Sequence, residues 1–310
     1  MEGLFILLLA LVIDVLLGEP PRVMHPVVWM GKAISFLERF APAQGTRAQL
    51  LYGAGMVLLT IFIFTSPVYF LLLYVNEISP IAYIVAGALL LKPTFAFREL
   101  RQTALEIKVL LARGNLEEAR AKMPCLVSRD TQNLGKPELV SASVESVAEN
   151  VGDSFVAPLF YFLLFGVPGA VVYRVVNTAD AMIGYHGKYE HLGRFAAKLD
   201  DILNFIPARI SGLLLVIAAP LCRRDSRSAW QVMLRHHGRT ESPNAGWPMS
   251  AAAGALRVRL EKEGCYNLGN ANNPLSPDLV ASGIKLLEVA ALLWVLFCLT
   301  MEVTHLVFVT

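Results

Sequence analysis

Long apolar runs alternate with polar stretches along the whole chain, and this alternation predicts membrane helices joined by structured loops. A helix needs about 20 apolar residues to cross the bilayer, so the longer runs can cross alone, whereas the shorter ones lie at its edge or fold back. The pattern predicts an all-α, polytopic helical membrane protein with re-entrant segments. The apolar segments are residues 4–17, 50–75, 78–91, 155–176, 205–221 and 283–301.

The first apolar segment, LFILLLALVIDVLL at residues 4–17, has the length of a signal-peptide core but not its flanks. No basic region precedes it, no small-residue cleavage site follows it, and Asp14 interrupts it. We therefore expect a retained membrane helix that is short for a full crossing and lies at the edge of the bilayer.

The fourth apolar segment is interrupted near its midpoint by Gly166, Pro168 and Gly169. Each half has roughly eleven residues, which is too short to cross the bilayer, and Gly together with Pro is a strong turn signal. The segment is therefore either a re-entrant hairpin or a single kinked span. In a hairpin, the polar motifs before and after it would lie on the same side of the membrane.

The polar stretches are themselves structured. In residues 92–136, apolar residues such as Leu100, Ala104, Ile107 and Leu111 recur at helical spacing. Residues 18–49, 92–154 and 222–282 hold most of the Lys and Arg, and the positive-inside rule places such loops in the cytoplasm. We expect a single membrane-embedded domain over residues 1–310 that crosses the cell membrane several times. Its helical cytoplasmic insertions would be residues 92–154 and 222–282, and an active site would face the cytoplasm.

Composition supports the membrane assignment. The chain is 55% hydrophobic and 17% charged, whereas a soluble domain carries about 25% charged residues. The net charge of +2 argues against a broad nucleic-acid surface, so we expect no nucleic acid partner. The four cysteines form no C-x-x-C pair, so neither a zinc site nor a disulfide framework is expected.

A stripe of acids stands just before the fourth apolar segment. Glu145, Glu149 and Asp153 are spaced four residues apart on a helix that we predict from residue 138 to about 152. Like charges at this spacing destabilise an isolated helix by a few tenths of a kcal/mol, so the stripe calls for a cation or a metal ion. A solvated helix face at the membrane surface is an equal alternative.

Polar residues also follow the fourth segment. Asn177 and Asp180 share a helix face, and Asp180 and Arg174 border an apolar stretch, where ionisable groups are costly and usually paired or functional. An Asp180–Arg174 pair that merely anchors the helix is the alternative. Tyr185 and Arg194 follow them in the chain.

The stretch KLDDILNFIPARISG places Asp200 and Asn204 one helical turn apart, with Asp201 beside them and Arg209 at the next apolar segment. Carboxylate and amide oxygens suit Mg²⁺, which is usually held by one or two carboxylates and by substrate phosphates. A capping or surface role is equally compatible with these residues.

Two aromatic motifs are weaker. Ser242, Asn244 and Trp247 form a Pro- and Gly-rich turn before a small-residue helix, where the Trp would either cover a flat ligand or anchor the membrane interface. His25 and Trp29 project from a Pro-rich segment. A lone His is more often structural than catalytic, so this motif carries little weight alone.

Taken in order, these motifs resemble those of the adenosylcobinamide-phosphate synthase family, the CobD/CbiB membrane proteins of cobalamin biosynthesis. The resemblance covers nearly the whole chain, and the ordered set is far more specific than any single motif. The motifs are LVIDVLLGEP, HPVVWMGK, SRDT, AENVGDSFVAPLFY, VVNTADAMIGY, GRFAAKLDDILNFIPARIS, SPNAGWP and AGALRVRL.

The resemblance implies an ATP-dependent ligase that forms an amide. It would join the f-propionate of adenosylcobyric acid to (R)-1-aminopropan-2-ol or its O-phosphate, giving adenosylcobinamide or its phosphate. ATP and Mg²⁺ would be required, because a carboxylate is a poor electrophile and is activated by phosphoryl transfer. The corrinoid is then a substrate, and the lipid bilayer and other membrane enzymes of late cobalamin assembly are candidate partners. The alternative is a membrane sensor or transport protein related to the family but without ligase activity.

With this chemistry, we assign the metal to Asp153 and Asp180, with Asn150 and Asn177 beside them as catalytic residues. Glu149 is the candidate base for the amine, since desolvation at a membrane edge makes a carboxylate more basic. The expected substrate-binding residues are His25, Trp29, Arg129, Asp130, Tyr185, Arg194, Asp201, Arg209, Ser242, Asn244 and Trp247.

Overall fold

The structure is a computed structural model that describes residues 1–127 and 129–309. Ser128, the first residue of the SRDT motif, lies outside the described residues. These comprise twelve α-helices, short 3₁₀ and π turns, and one antiparallel pair of strands, so the all-α prediction is confirmed. The helices are α1 (Glu2–Leu16), α2 (Pro26–Glu38), α3 (Thr46–Ile78), α4 (Pro80–Leu91), α5 (Phe97–Ala112), α6 (Leu116–Lys122), α7 (Lys136–Val151), α8 (Ala157–Ile183), α9 (Arg194–Leu221), α10 (Ser226–His236), α11 (Gly246–Leu256) and α12 (Pro277–Val309), and the strands are β1 (Arg259–Lys262) and β2 (Tyr266–Gly269).

Within the part of the chain that the structure describes, five helical segments are long and apolar enough to cross a membrane. The prediction of a polytopic membrane protein is therefore confirmed. The first apolar segment forms α1, whose 15 residues are fewer than the roughly 20 of a full crossing. The five segments are Thr46–Ile78, Pro80–Ala112, Lys136–Ile183, Arg194–Leu221 and Pro277–Thr304.

Helix α8 folds back on itself at Gly166. The backbone there leaves helical geometry, with φ 65° and ψ −161°, a conformation that glycine adopts without a steric penalty. The rings of Tyr161 and Tyr173 stack with centroids 5.4 Å apart, although a straight helix would separate these positions by about 18 Å. The fourth apolar segment is therefore a re-entrant hairpin and not a kinked span.

The described residues divide into two compact units. Unit 1 contains residues 1–96, residues 157–204 and the chain from Cys298 onward. Its buried core forms where α2, α3, α8 and the start of α9 meet, and α1 packs against α4. The core residues are Ile34, Met56, Val57, Ala179, Ile183 and Ala196.

Unit 2 contains residues 97–156 and 205–297. Helix α7 packs against α5, α11 and β1, and every side chain from Leu139 to Ala148 is buried. Helices α10 and α11 lie in close contact, because Gly254 passes the Ser228 carbonyl without a side chain between them. The two strands pair with Leu260 opposite Leu268, a hairpin that the sequence reading did not predict within its second helical insertion.

Two glycines on α3 allow a test of the packing in unit 1. A Cβ added at Gly53 would overlap the Leu192 carbonyl oxygen, whereas one added at Gly55 meets nothing within 4 Å. We expect Gly53→Ala to lower the free energy of unfolding by about 1–3 kcal/mol, because the backbones must separate. Gly55→Ala should be neutral or stabilising, since alanine favours a helix over glycine by about 1 kcal/mol. Thermal unfolding in detergent measures both, and equal melting temperatures for the two variants would contradict the packing.

Candidate active site

Glu145, the first acid of the stripe on α7, lies in a buried network of hydrogen bonds. Its carboxylate accepts hydrogen bonds from the Ser141 hydroxyl (2.6 Å) and the Tyr266 hydroxyl (2.8 Å), and Arg129 Nη2 lies 3.5 Å from it. The Glu261 backbone N–H of β1 donates to the same Ser141 oxygen at 2.9 Å. A buried carboxylate is costly unless it is paired, so this network joins α7, the β-hairpin and the loop that carries Arg129. A solvated face, the alternative reading of the stripe, is wrong for Glu145.

Beside this network, unit 2 contains an open recess of about 120 Å³. It brings together Arg129 and Glu149, two of the predicted site residues, with Lys262 and Tyr266, which were not predicted as site residues. Two cations and two carboxylates thus face one small volume. The lining residues are Leu126, Val127, Arg129, Ala142, Glu145, Ser146, Glu149, Lys262 and Tyr266.

Tyr266 keeps its proton in this setting. Burial, followed by the charge of the adjacent Glu145, raises the pKa of Tyr266 well above its usual value. The hydroxyl therefore remains a hydrogen-bond donor at any physiological pH. Asp130, the neighbour of Arg129, is exposed and accepts a hydrogen bond from the Gln132 backbone N–H at 3.0 Å, which shapes the loop.

The remaining polar residues of the first motif lie where α7 ends. Asn150 donates to the Ser146 backbone oxygen (2.9 Å) and accepts from the Ser154 hydroxyl (3.2 Å). Asp153 is half-buried in a π-helical turn over residues 152–156. Such turns add a residue to the helix and occur often at functional sites, so Asp153 does not continue the regular spacing of Glu145 and Glu149.

In unit 1, α8 and the start of α9 bring together the polar residues of the second and third motifs. The Asp200 carboxylate accepts from Asn204 Nδ2 (2.9 Å) and Asn177 Nδ2 (3.4 Å). Tyr173 donates to Asn204 Oδ1 at 2.9 Å, and Arg174 to Asn177 Oδ1 at 3.3 Å. Two amides therefore fix the orientation of Asp200.

Asp180 belongs to the same cluster. Its carboxylate lies where a Cβ on Gly184 would stand, and it is close enough to Asp200 for the two charges to interact. Repulsion between two such carboxylates favours a bound cation. Asp201 is half-buried beside them, whereas Tyr185 and Arg194 are exposed.

The carboxylates of Asp180 and Asp200 offer hard oxygen ligands, which suit Mg²⁺ better than a soft metal. The Asn177 and Asn204 amides support Asp200, because their oxygens already accept hydrogen bonds from Arg174 and Tyr173. In the described part of the chain, no group of three or more His, Cys, Asp or Glu side chains is arranged to hold a metal ion. A Mg²⁺ ion that relies on two carboxylates and takes water and phosphate oxygens as its other ligands needs no larger group. Asp153, the other predicted ligand, belongs to unit 2, and its role stays a prediction.

Arg209, Asn244 and Trp247 form a third cluster, in unit 2. The Arg209 guanidinium lies 3.6 Å from the Phe205 ring centroid and 4.8 Å from that of Trp247, and it donates to Asn244 Oδ1 at 3.2 Å. His237 stacks on Trp247 with centroids 4.0 Å apart. The Trp247 ring is thus already engaged by protein groups, while its contact with a corrinoid stays a prediction.

Ser242 shapes the turn that presents this cluster. Its hydroxyl accepts from the backbone N–H groups of Asn244 (3.2 Å) and Ala245 (3.4 Å) just before α11. Asn244 is buried, whereas Ser242 is half-buried. The turn therefore orients Asn244 toward Arg209.

His25 takes part in a buried charge network in unit 1. Lys92, whose side chain is 4% exposed, lies 3.1 Å from Asp14 Oδ1 and 2.6 Å from Glu19 Oε1. His25 Nδ1 accepts from the Val27 backbone N–H at the start of α2, so Nε2 carries the proton that it donates to Glu19 at 2.9 Å. Both ring nitrogens are thus engaged within the protein.

Trp29 differs from His25, because its ring is exposed. Its indole N–H donates to the Val23 backbone oxygen at 2.7 Å, while 46% of the residue remains accessible. The ring is therefore free to meet a membrane or a substrate.

The family model described as CobD/Cbib protein matches residues 7–287. The chain therefore belongs to the CobD/CbiB family.

Named relatives agree with this family. The "Cobalamin biosynthesis protein CobD" of Dehalococcoides mccartyi (strain CBDB1) is 52% identical over 296 residues, which cover 96% of this chain and 96% of the relative. The "Probable cobalamin biosynthesis protein CobD" of Methanothermobacter thermautotrophicus is 40% identical over 300 residues, which cover 96% of this chain and 97% of the relative. The protein of the same name from Methanocaldococcus jannaschii is 39% identical over 281 residues, which cover 89% of this chain and 91% of the relative. No solved structure matches the chain.

The β-hairpin of β1 and β2, which was not predicted, does have a signal in the sequence. In the stretch RLEKEGCYNLG, the turn residue Gly264 is followed by Tyr266, Asn267 and Leu268, which alternate between apolar and polar. A turn residue next to such alternation is typical of a short strand in a hairpin. Lys262 and Tyr266 flank that turn. Their proximity to Glu145 arises from the docking of the hairpin on α7, which no local pattern encodes.

The network around Lys92 predicts a pH-dependent contribution to stability. Burial raises the pKa of Glu19, but the hydrogen bonds from His25 and Lys92 outweigh it, so the pKa lies below the usual 4.5. A lowered pKa stabilises the folded state above the unfolded pKa, and this stability is lost as the pH falls through the folded pKa. We expect Glu19→Gln to cost about 1–3 kcal/mol at pH 7.

Thermal unfolding in detergent, measured from pH 7 down to pH 3, tests this expectation. The gap in melting temperature between wild type and Glu19→Gln should narrow below the usual glutamate pKa of 4.5. Glu77→Gln, at an exposed position near the end of α3, serves as the control and should change little. A gap that stays constant with pH would refute the charge-based contribution.

Proposed function

We propose that this protein is the adenosylcobinamide-phosphate synthase of its pathway. It joins the f-propionate of adenosylcobyric acid to (R)-1-aminopropan-2-ol or its O-phosphate in an amide bond, with ATP consumed. Membership of a cobalamin biosynthesis family supports the pathway. The distribution of Lys and Arg supports an active site that faces the cytoplasm.

The observation that carries the proposal is the pair of neighbouring carboxylates, Asp180 and Asp200, whose charges interact. Asn177 and Asn204 hold the carboxylate of Asp200. A ligase that consumes ATP needs a cation to offset phosphate charge, and two oriented carboxylates are the usual protein share of a Mg²⁺ site. Bound Mg²⁺ would supply that charge neutralisation. The two amides keep Asp200 in place before the ion arrives, which reduces the cost of binding.

The recess in unit 2 supplies groups for the amide-forming step. ATP first phosphorylates the carboxyl, and the unprotonated amine nitrogen then attacks the carbonyl carbon of this acyl phosphate and releases phosphate. Glu149 lines the recess and would accept the proton that the amine loses. Arg129 and Lys262 offer positive charge to a carboxylate or phosphate of the substrates. Glu145 has a positioning role, because it holds Arg129 and Tyr266 through direct contacts.

A reconstituted ligase assay tests the activity and the metal assignment together. Purified protein in detergent receives adenosylcobyric acid, Mg-ATP and either amine, and products are read by mass spectrometry. We expect Asp180→Asn and Asp200→Asn to raise the Mg²⁺ concentration for half-maximal activity at least tenfold, because each removes one carboxylate ligand. The same measurement on Asp153→Asn shows whether its predicted ligand role holds.

Glu190→Gln is the matched control for these variants, since Glu190 is an exposed acid of the same unit that pairs with His186. It should leave the Mg²⁺ dependence unchanged. Absence of any product with either amine would overturn the ligase proposal and favour a sensor or transport protein. Unchanged Mg²⁺ dependence in both Asp180→Asn and Asp200→Asn would overturn the metal assignment alone.

A second experiment tests Glu149 as the base. We expect Glu149→Gln to lower kcat about 100-fold with little change in KM, and to abolish the rise of the rate with pH that deprotonation of a base produces. Glu118→Gln, on the exposed side of α6, should behave as wild type. A variant that keeps both the rate and the pH profile would remove Glu149 from the mechanism.

A further inference from the structure

A second cavity in unit 2 is larger than the recess and shares no lining residue with it. Its volume is about 230 Å³, and polar side chains dominate its walls. It lies among the start of α10, the end of α11 and the segment after β2. The lining residues are Asp225, Arg227, Ser228, Gln231, Ala253, Gly254, Arg257, Asn270 and Asn272.

The charges around this cavity favour an anion. Asp225 lies 3.2 Å from Arg257 and compensates its charge. The guanidinium of Arg227 is exposed to solvent and has no hydrogen bond or ion pair with the side chains that the structure describes. Two arginines and one aspartate leave the lining with a net charge of +1. Asp225 is also occupied as the cap of α10, where it accepts from the Ser228 backbone N–H at 2.8 Å.

The walls of the cavity are held in place by backbone contacts. Arg257 has left-handed geometry, with φ 55° and ψ 44°, which is uncommon for a residue with a side chain. Its carbonyl accepts from the Asn273 backbone N–H at 3.0 Å, and Asn273 Nδ2 donates to the Leu256 carbonyl at 2.9 Å. The segment that carries Asn270 and Asn272 is thereby tied to the end of α11.

The donors indicate which anion fits. Arginine presents a planar fork of N–H groups that matches phosphate oxygens, and Ser228, Gln231, Asn270 and Asn272 add neutral donors. This set exceeds what the two oxygens of a carboxylate can accept, whereas a phosphoryl group offers three. The volume of about 230 Å³ is below the range of roughly 300–1,000 Å³ for a whole small-molecule ligand, so the cavity holds one charged group of a larger molecule.

We propose that the cavity between α10, α11 and the segment after β2 binds a phosphoryl group through Arg227 and Arg257. The group belongs either to a soluble phosphorylated molecule, such as a nucleotide, or to an anionic lipid headgroup. This binding site does not rest on the ligase activity. It explains why the cavity combines Arg227, which has no acidic partner, with the neutral donors of Ser228, Gln231, Asn270 and Asn272.

Binding of pyrophosphate and of ADP to the full-length protein in neutral detergent, measured by isothermal titration calorimetry, tests the site. We expect Arg227→Gln to weaken binding at least fivefold, because it removes the uncompensated charge. Asp225→Asn should tighten binding, because it raises the net charge of the lining while asparagine still caps α10. Two variants that shift the affinity in opposite directions separate the site from loss of folding.

Arg259→Gln is the matched control. Arg259 lies on β1, is exposed and pairs with Glu261 at 3.0 Å, so its loss removes the same charge outside the cavity. It should leave the affinity within twofold of wild type. Equal affinities for wild type and Arg227→Gln, or an equal loss in Arg259→Gln, would overturn the proposal.

The source of the phosphoryl group is decided in nanodiscs that contain phosphatidylglycerol or only neutral lipid. A lipid headgroup is supported if phosphatidylglycerol displaces pyrophosphate from the wild-type protein and if this displacement is weaker in Arg227→Gln. Undisturbed binding of ADP in both nanodiscs supports a soluble ligand. Failure of pyrophosphate, ADP and phosphatidylglycerol alike to bind would refute the site.

Discussion

The side chain of Lys92 is almost completely enclosed in unit 1, and its charge is met by Asp14 and Glu19. A charge removed from water is tolerated only when the protein itself supplies partners. The same requirement explains why Glu145 draws Arg129 and the β-hairpin onto α7. The buried charges of Lys92 and Glu145 are thus each met within a network of protein groups, and these networks tie loops to the helices that carry them.

Backbone geometry imposes a second condition, visible in α8. An apolar segment that turns inside a membrane must satisfy its polar groups within the protein, and Tyr161 does so by donating to the Leu203 carbonyl at 2.9 Å. Tyr173 likewise bonds to Asn204, one of the residues that orient Asp200. The hairpin and the proposed metal site thus share a contact, because Asn204 bonds both to Tyr173 of the hairpin and to Asp200. A change in the hairpin therefore alters the support of the Asp200 carboxylate.

Much of the fold was readable from local pattern. The six apolar segments, the Gly166 break and the helix of the acidic stripe follow from hydropathy and turn chemistry, which act over a few residues. The roles of individual site residues were harder to predict, because the sequence pattern of carboxylates at helical spacing is the same for a buried and for a solvated helix face. Roles were predicted for Glu149 and Asp153 but not for Glu145, yet Glu145 is buried in a hydrogen-bond network. Asp200 lies close enough to Asp180 for their two charges to interact.

The sequence by itself determined that this is an all-α membrane protein of the CobD/CbiB family, since hydropathy and ordered motifs are properties of the linear chain. It also supplied most of the acids and arginines that now form clusters. Only the tertiary structure decided which of them meet: Lys262 and Tyr266 reach Glu145 because a hairpin more than a hundred positions away docks on α7. Pairing of buried charges depends on distance in space, and distance in space is set by packing rather than by spacing along the chain.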